Sequence, residues 1–277
     1  MEYKHILYKK KGRIAHVTIN RPKVLNALSF DANSELYDIW TDFMKDDDVW
    51  TAILTGAGDR AFCAGSDIKA MAEMSDEQKA MTDLQRDATD SPYQAGGMVH
   101  RELWKPIIAA VNGYCLGAGL EIAMAADIVI ASENATFGFP EIRNIGSYPG
   151  SGGIHYLPRH IPRKIANQML LTGESIGADE AMQLGLINKV APPDQLMQEA
   201  TAMAEKFNEH SPVAIRVIKE MLNKSMDLPL EYPDPGRLCA WDLYDTVGIK
   251  LHESEDWKSG EGPRAFVEKR KPEWKGR

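Results

Sequence analysis

Hydrophobic and polar positions alternate with a strand-like period near the start of the chain. HILYKK and IAHVTINRP read as two short strands joined by the turn KKGR. From Asp31 to Asp46 the period changes to that of a helix, with Leu36, Ile39, Trp40 and Phe43 on one face. Three short apolar runs follow: WTAILTG, IIAAVNG from Ile107 to Gly113, and DIVIAS from Asp127. Each has the length of a strand buried on both faces. GAGLEIAMAAD, from Gly117, is apolar all round and predicts a buried helix. Strands alternating with helices give an α/β class.

Beyond about Pro158 helices dominate. IPRKIANQMLLTG, GADEAMQLG and DQLMQEATAMAEKFNEH are helical, the last with an apolar stripe of Leu196, Ala200, Met203, Ala204 and Phe207 and with Asp194 as its expected cap. Ser211 and Pro212 open another helix, whose stripe is Ala214, Val217, Ile218 and Met221. The expected organisation is a core over residues 1–195 and a helical region over 196–277. Between Met71 and Leu103 the chain is polar and irregular, as a lid, a pocket wall or an exposed excursion would be.

A chain of 277 residues, 44% of them hydrophobic, is long enough for a substantial core. A net charge of −8 argues against a general nucleic-acid binder, which needs a basic face. Cys63, Cys115 and Cys239 are odd in number and read as reduced thiols. No Cys/His spacing suggests a metal site, and His155 and His160 read as surface residues. The opening segment has no signal-peptide pattern and no run spans a membrane, so the cytoplasm is the expected location. The tail EGPRAFVEKRKPEWKGR is basic, fitting either a solvated end or a cradle for a phosphorylated ligand.

Two features carry candidate chemistry. Two strands leave through glycine-rich turns into helices, one at Gly65-Ser66-Asp67 and one at Gly117-Ala118-Gly119. A glycine-flanked helix start presents free backbone N–H groups, and two such starts together would make a two-donor oxyanion hole. Separately each is an ordinary cap. The second feature is a pair of carboxylates. Glu121 is the lone charge between Lys105 and Asp127, and a carboxylate in apolar company must be paired, neutralised or used. Glu141 follows Pro140 at a helix first turn, where dipole pairing is the plain alternative to catalysis. Gly56-Ala57-Gly58-Asp59-Arg60-Ala61 fits a dinucleotide-binding spacing, but no helix opens after it. Gly150-Ser151-Gly152 is not a nucleophile elbow, because the required first glycine falls on Pro149.

The ordered blocks NRPKVLNAL, AFCAGSDIKAM, KPIIAAVNGYCLGAGLEIAMAADI, FGFPEI, YPGSGG, LTGESIGADEAMQLGLINKV and AFVEKRKPEWKGR resemble the crotonase superfamily of enoyl-CoA hydratases and isomerases over nearly the full length. The resemblance implies a spiral of ββα units with a helical C-terminal trimerisation region, assembled as a trimer or dimer of trimers. It implies an acyl-CoA substrate and no metal or organic cofactor, coenzyme A being part of the substrate. Ser66 and Ala118 fall on the two oxyanion donors, which act through backbone N–H, in place of the commoner Ala and Gly. Ala64, Ser66, Asp67, Ile68 and Lys69, with Lys23, Val24 and Ala27, match positions that grip the substrate. Pro140 lies beside the second carboxylate, and Phe266 and Lys269 match tail positions that reach CoA, sometimes from a neighbouring subunit. Glu121 and Glu141 match the two catalytic glutamates of hydratases, whereas many isomerases keep only the second. Between FGFPEI and YPGSGG the chain carries one residue more than the usual hydratase spacing. That leaves room for an isomerase, or for a crotonase-type enzyme acting on a cyclic or branched acyl-CoA.

Overall fold

The computed structural model describes residues 3–75, 95–99, 102–226, 228–230 and 238–277. Strands β1 (Ile6–Lys11) and β2 (Ile14–Ile19) form the expected hairpin. Helix α1 (Phe30–Lys45) follows, with Ser29 Oγ accepting from Ala32 N at 3.3 Å as its cap. Its apolar face of Leu36, Ile39, Trp40 and Phe43 is wholly buried.

A repeating unit then builds the core. In each, a strand in a large sheet leads to a shorter strand in a second sheet and then to a helix. The units are β3 (Thr51–Gly56), β4 (Ala61–Cys63) and α2 (Ile68–Ala72); β5 (Ile107–Val111), β6 (Tyr114–Leu116) and α3 (Ala118–Ala125); and β7 (Ile128–Ser132), β8 (Thr136–Gly138) and α4 (Glu141–Ile145). Next come α5 (Gly153–His160), α6 (Arg163–Thr172), β9 (Ser175–Gly177), α7 (Ala178–Gln183) and β10 (Lys189–Ala191). The large sheet has the order β1-β2-β3-β5-β7-β10 and is parallel from β2 onward; the small one runs β4-β6-β8-β9. This is the ββα spiral that the resemblance implies. Gly56 leads to β4 and not to a helix, so the dinucleotide pattern is a coincidence of spacing.

The inner strands β3, β5 and β7 of the large sheet are buried on both faces, which explains their unbroken apolar runs. Ala52, Leu54, Ala109 and Val111 point into the main core with α1 and α3. Ile53, Ile108, Ala110 and Ile130 point the other way, under Leu196, Ala200 and Ala204 of α8 (Leu196–Asn208). The helix that opens the 196–277 region therefore lies on the sheet. Asp194 does not cap it: the cap position is Gln195, without a side-chain bond, because Gln195 N closes a turn onto Pro192 O. Helix α9 (Pro212–Ser225) does have the expected Ser211 cap. Of its predicted stripe Val217 is buried but Ile218 is 56% exposed. Lys219 Nζ docks the helix by donating to Asp127 Oδ2 at 2.7 Å and Lys105 O at 3.0 Å. Short helices α10 (Asp242–Thr246), α11 (Ile249–Glu253), α12 (Glu255–Lys258) and α13 (Glu261–Glu268) complete the chain.

Most cations of the basic tail pair with acids. Arg270 pairs with Glu261 and Glu268, Lys271 with Glu209, and Lys275 and Arg277 with Glu255. Among the described residues no helix is long and apolar enough to cross a membrane. Most of the irregular stretch from Met71 to Leu103 lies outside the described residues.

Candidate active site

Three ββα units deliver their helix starts to one place, and a cavity of about 680 Å³ opens there. Its walls include the turns at Gly65 and Gly117 and both candidate glutamates. The turns touch: a Cβ added to Gly65 would lie 3.5 Å from Ala118 N. One added to Gly117 would lie 2.8 Å from Glu141 Oε1, so Gly117 sits between the first turn and the second carboxylate. Gly117 has φ 54 and ψ −126, a conformation that a side chain would strain.

Among the described residues, Ser66 N and Ala118 N have no hydrogen-bond partner at this point. Leu28 forms a parallel bridge with Ser66, in which Leu28 N donates to Gly65 O at 2.8 Å and Asp67 N donates to Leu28 O at 2.9 Å. The bridge uses the groups on either side of Ser66 N–H and passes over it. Ala118 is the first residue of α3, where an N–H has no partner within its helix. Gly117 N is occupied by Gly138 O at 3.0 Å, which ties this helix start to β8. Both N–H groups stand at the glycine-rich exits that line the cavity.

Glu121 is 2% exposed, in the first turn of the apolar helix α3. No cation pairs with it among the described residues. Its Oε1 accepts from Ser151 N at 2.8 Å and from Gly153 N at 2.9 Å. Gly153 is the first residue of α5, so the carboxylate caps that helix from outside and meets the positive end of its dipole. Burial pushes the Glu121 pKa up, while the two backbone donors pull it back.

Glu141 opens the short helix α4 and is half-buried. Its Oε2 is buried without a hydrogen-bond partner among the described residues. Burial, and then the nearby charge of Glu121, raise its pKa to about 7. The two carboxyls thus differ in kind: one is held by amides, and the other is poised to carry a proton near neutrality.

Of the other expected substrate contacts, Ala64, Ser66, Asp67, Ile68 and Pro140 line the cavity. Lys23, Val24, Ala27 and Lys69 are not among its described lining residues. Lys23 and Val24 lie on an exposed 3-10 turn over Pro22–Val24, and Lys69 is exposed on α2. Ala27 is buried, and its carbonyl accepts from Arg21. Phe266, 85% exposed, and Lys269 stand on the C-terminal helix, and neither is part of the cavity wall of its own chain. Sequence reasoning missed Asn144, Ile145 and Tyr148, which line the cavity, and the donor role of Ser151 and Gly153. The glycines of YPGSGG were the available signal, since they permit a turn whose backbone N–H groups face inward.

The sequence profile described as Enoyl-CoA hydratase/isomerase matches residues 9–277. The chain is 40% identical over 265 residues to the (E)-benzylidenesuccinyl-CoA hydratase of Thauera aromatica, covering 96% of each. It is 39% identical over 276 residues to the short-chain-enoyl-CoA hydratase of Clostridium acetobutylicum, covering 99% of this chain and 98% of the other. The crystal structure of an enoyl-CoA hydratase from Bacillus anthracis superposes with a TM-score of 0.86 at 32% identity, over 99% of this chain and all of that one.

Proposed function

Because the chain belongs to the enoyl-CoA hydratase/isomerase (crotonase) family, we propose that it adds water across the 2,3 double bond of a 2-enoyl-CoA thioester. The observation that carries this reading is the convergence of two unlike carboxyls on one cavity beside two free amides.

In this mechanism the thioester oxygen faces Ser66 N–H and Ala118 N–H. Glu121, anchored by Ser151 N and Gly153 N, acts as the carboxylate that takes a proton from water as the water oxygen bonds to C3. The electrons of the double bond move toward the thioester oxygen, where the two amides stabilise the enolate-like charge; losing one such donor typically costs about 3–4 kcal/mol. Glu141, protonated up to about pH 7, delivers its proton to C2. The product is a 3-hydroxyacyl-CoA, and one proton has passed from Glu141 to Glu121 by way of substrate and water. No metal or organic cofactor enters these steps.

Isomerisation would need Glu141 alone and would leave the doubly anchored Glu121 without work. Absorbance of the conjugated enoyl group tests the reading directly. The wild type should bleach crotonyl-CoA, and Glu121→Gln and Glu141→Gln should not. Consumption of a 3-enoyl-CoA with crotonyl-CoA untouched would instead establish the isomerase.

A homotrimer, or a dimer of trimers, belongs to the same proposal. Ile218, Leu222 and Met226 recur every fourth residue on α9 and are 56%, 63% and 65% exposed, a face suited to burial between copies. The absence of Phe266 and Lys269 from the described lining of their own cavity fits a role in a neighbour's CoA site. Sedimentation of the purified protein distinguishes trimer from monomer.

A further inference from the structure

The first oxyanion donor hangs on a frame that has its own fastening. Ala64 N donates to Leu25 O at 3.0 Å, and the Leu28–Ser66 bridge continues the attachment, so residues 25–28 hold the exit on which Ser66 sits. This frame is strained. Leu25 and Asn26 have φ of 54 and 57, a conformation that non-glycine residues keep only where their surroundings impose it. Asn26, fully buried, supplies part of that restraint: its side chain accepts from Arg21 N at 2.9 Å and donates to Ala57 O at 3.0 Å and Ala61 O at 2.7 Å.

Arg21 supplies the rest. Its Nη1 donates to Ala27 O, inside the frame. Its Nη2 donates to Asp67 Oδ2 at 2.8 Å, on the exit just beyond Ser66. The other oxygen of Asp67, Oδ1, accepts from Ala70 N at 3.1 Å and caps α2. The paired side chains are only 15% and 12% exposed. One planar guanidinium therefore spans frame and exit, and a lysine ammonium lacks the fork to reach both. Burial works against the Asp67 charge, but Arg21 and the Ala70 N–H outweigh it and hold the carboxyl below its usual range.

We propose that Arg21 is a positioning residue, which clamps residues 25–28 to Asp67 and so fixes the Ser66 N–H in its oxyanion-binding direction. The proposal rests on the hydration reading of this site. It also reassigns Asp67. Its carboxylate is committed to Arg21 and to the α2 cap, so any grip on CoA comes from its backbone.

The test uses the full chain with Arg21→Met, Arg21→Lys, Asp67→Asn and the double variant Arg21→Met/Asp67→Asn. Asparagine keeps the helix cap while removing the ion pair, so Asp67→Asn carries the test if Arg21→Met fails to fold. Two readouts are needed: kcat and KM with crotonyl-CoA, and the absorbance maximum of bound 4-dimethylaminocinnamoyl-CoA. That band moves to longer wavelength when the probe's carbonyl oxygen is hydrogen-bonded. Arg21→Met should lower kcat by about 10- to 100-fold, the scale of a misplaced group, and leave KM near wild type. The red shift of the probe should shrink with it. Arg21→Lys should fall between, and the double variant should be no worse than Arg21→Met. Wild-type kcat and a full red shift in Arg21→Met and Asp67→Asn would overturn the proposal, as would a rise in KM alone, which marks a CoA contact. If wild type leaves crotonyl-CoA unchanged yet shifts the probe, the hydration reading fails while the clamp is still judged by the shift.

Discussion

Glu121 and Glu141 are the same residue type facing the same cavity, yet their settings are opposite. Glu121 stands on the eight-residue helix α3, inside the core, with two backbone donors on one oxygen. Glu141 stands at the start of the five-residue helix α4, half-buried, with one oxygen buried and, among the described residues, unbonded. Burial is the largest cause raising both pKa values, and the charge of Glu121 adds to it at Glu141. The amides at Ser151 and Gly153 are what break the symmetry. In the proposed mechanism, identical side chains reach base and acid roles through what the main chain offers each of them.

The largest test removes either charge. Glu121→Gln and Glu141→Gln should each lower kcat for crotonyl-CoA by about 10²–10⁴-fold, the usual yield of positioned acid–base groups. A small loss in one alone would make the comparison a contrast between a catalyst and a bystander. Loosening the anchor comes next. Gly152 has φ 104, and a Cβ there would lie 2.7 Å from the Tyr156 ring, so Gly152→Ala should shift the two amides that it separates. The expected loss in kcat is about tenfold to a hundredfold. The acidic limb of the pH profile should move upward as Glu121 loses its donors, and steady-state kinetics over pH checks both.

The native pH profile is a milder probe. The kcat/KM of the wild type should fall as pH rises through about 7, where Glu141 loses the proton it must deliver. The smallest effect is on stability. A carboxyl whose folded pKa lies above its unfolded value near 4.5 binds its proton more tightly when folded. The stability that Glu141 contributes therefore declines from about pH 4.5 to about pH 7 and stays lower above it. Glu141→Gln should melt higher than wild type at pH 8 and no higher at pH 4. Equal melting shifts at the two pH values would remove the electrostatic half of the comparison.

Much of this arrangement was legible in the sequence because it depends on short-range pattern. Periodicity revealed α1, and the unbroken apolar runs revealed strands buried on two faces. The glycines at 65 and 117 marked the exits, and the charge-free surroundings of Glu121 marked it as unusual. What escaped depends on distance along the chain. Ser151 and Gly153 reach Glu121 from 30 and 32 residues away, through groups that every residue type possesses. Arg21 meets Asp67 across 46 residues. The tail's cations found acids at Glu209, Glu255 and Glu261, pairings that no local charge count reveals. Asp194 failed as a cap for a local reason: the Pro192 turn places Gln195 at the helix start.

The bridge that passes over Ser66 N–H has a consequence for how this protein would yield to mutagenesis. A donor that belongs to the main chain survives every side-chain replacement but proline. An alanine scan across residues 60–70 and 113–123 would therefore pass over both proposed oxyanion donors, although the hydration reading makes each worth about 3–4 kcal/mol to the reaction. At Ala118 such a scan has nothing to change. Variation can rework the walls that choose the acyl group while these two atoms stay in place, protected by having no side chain to lose.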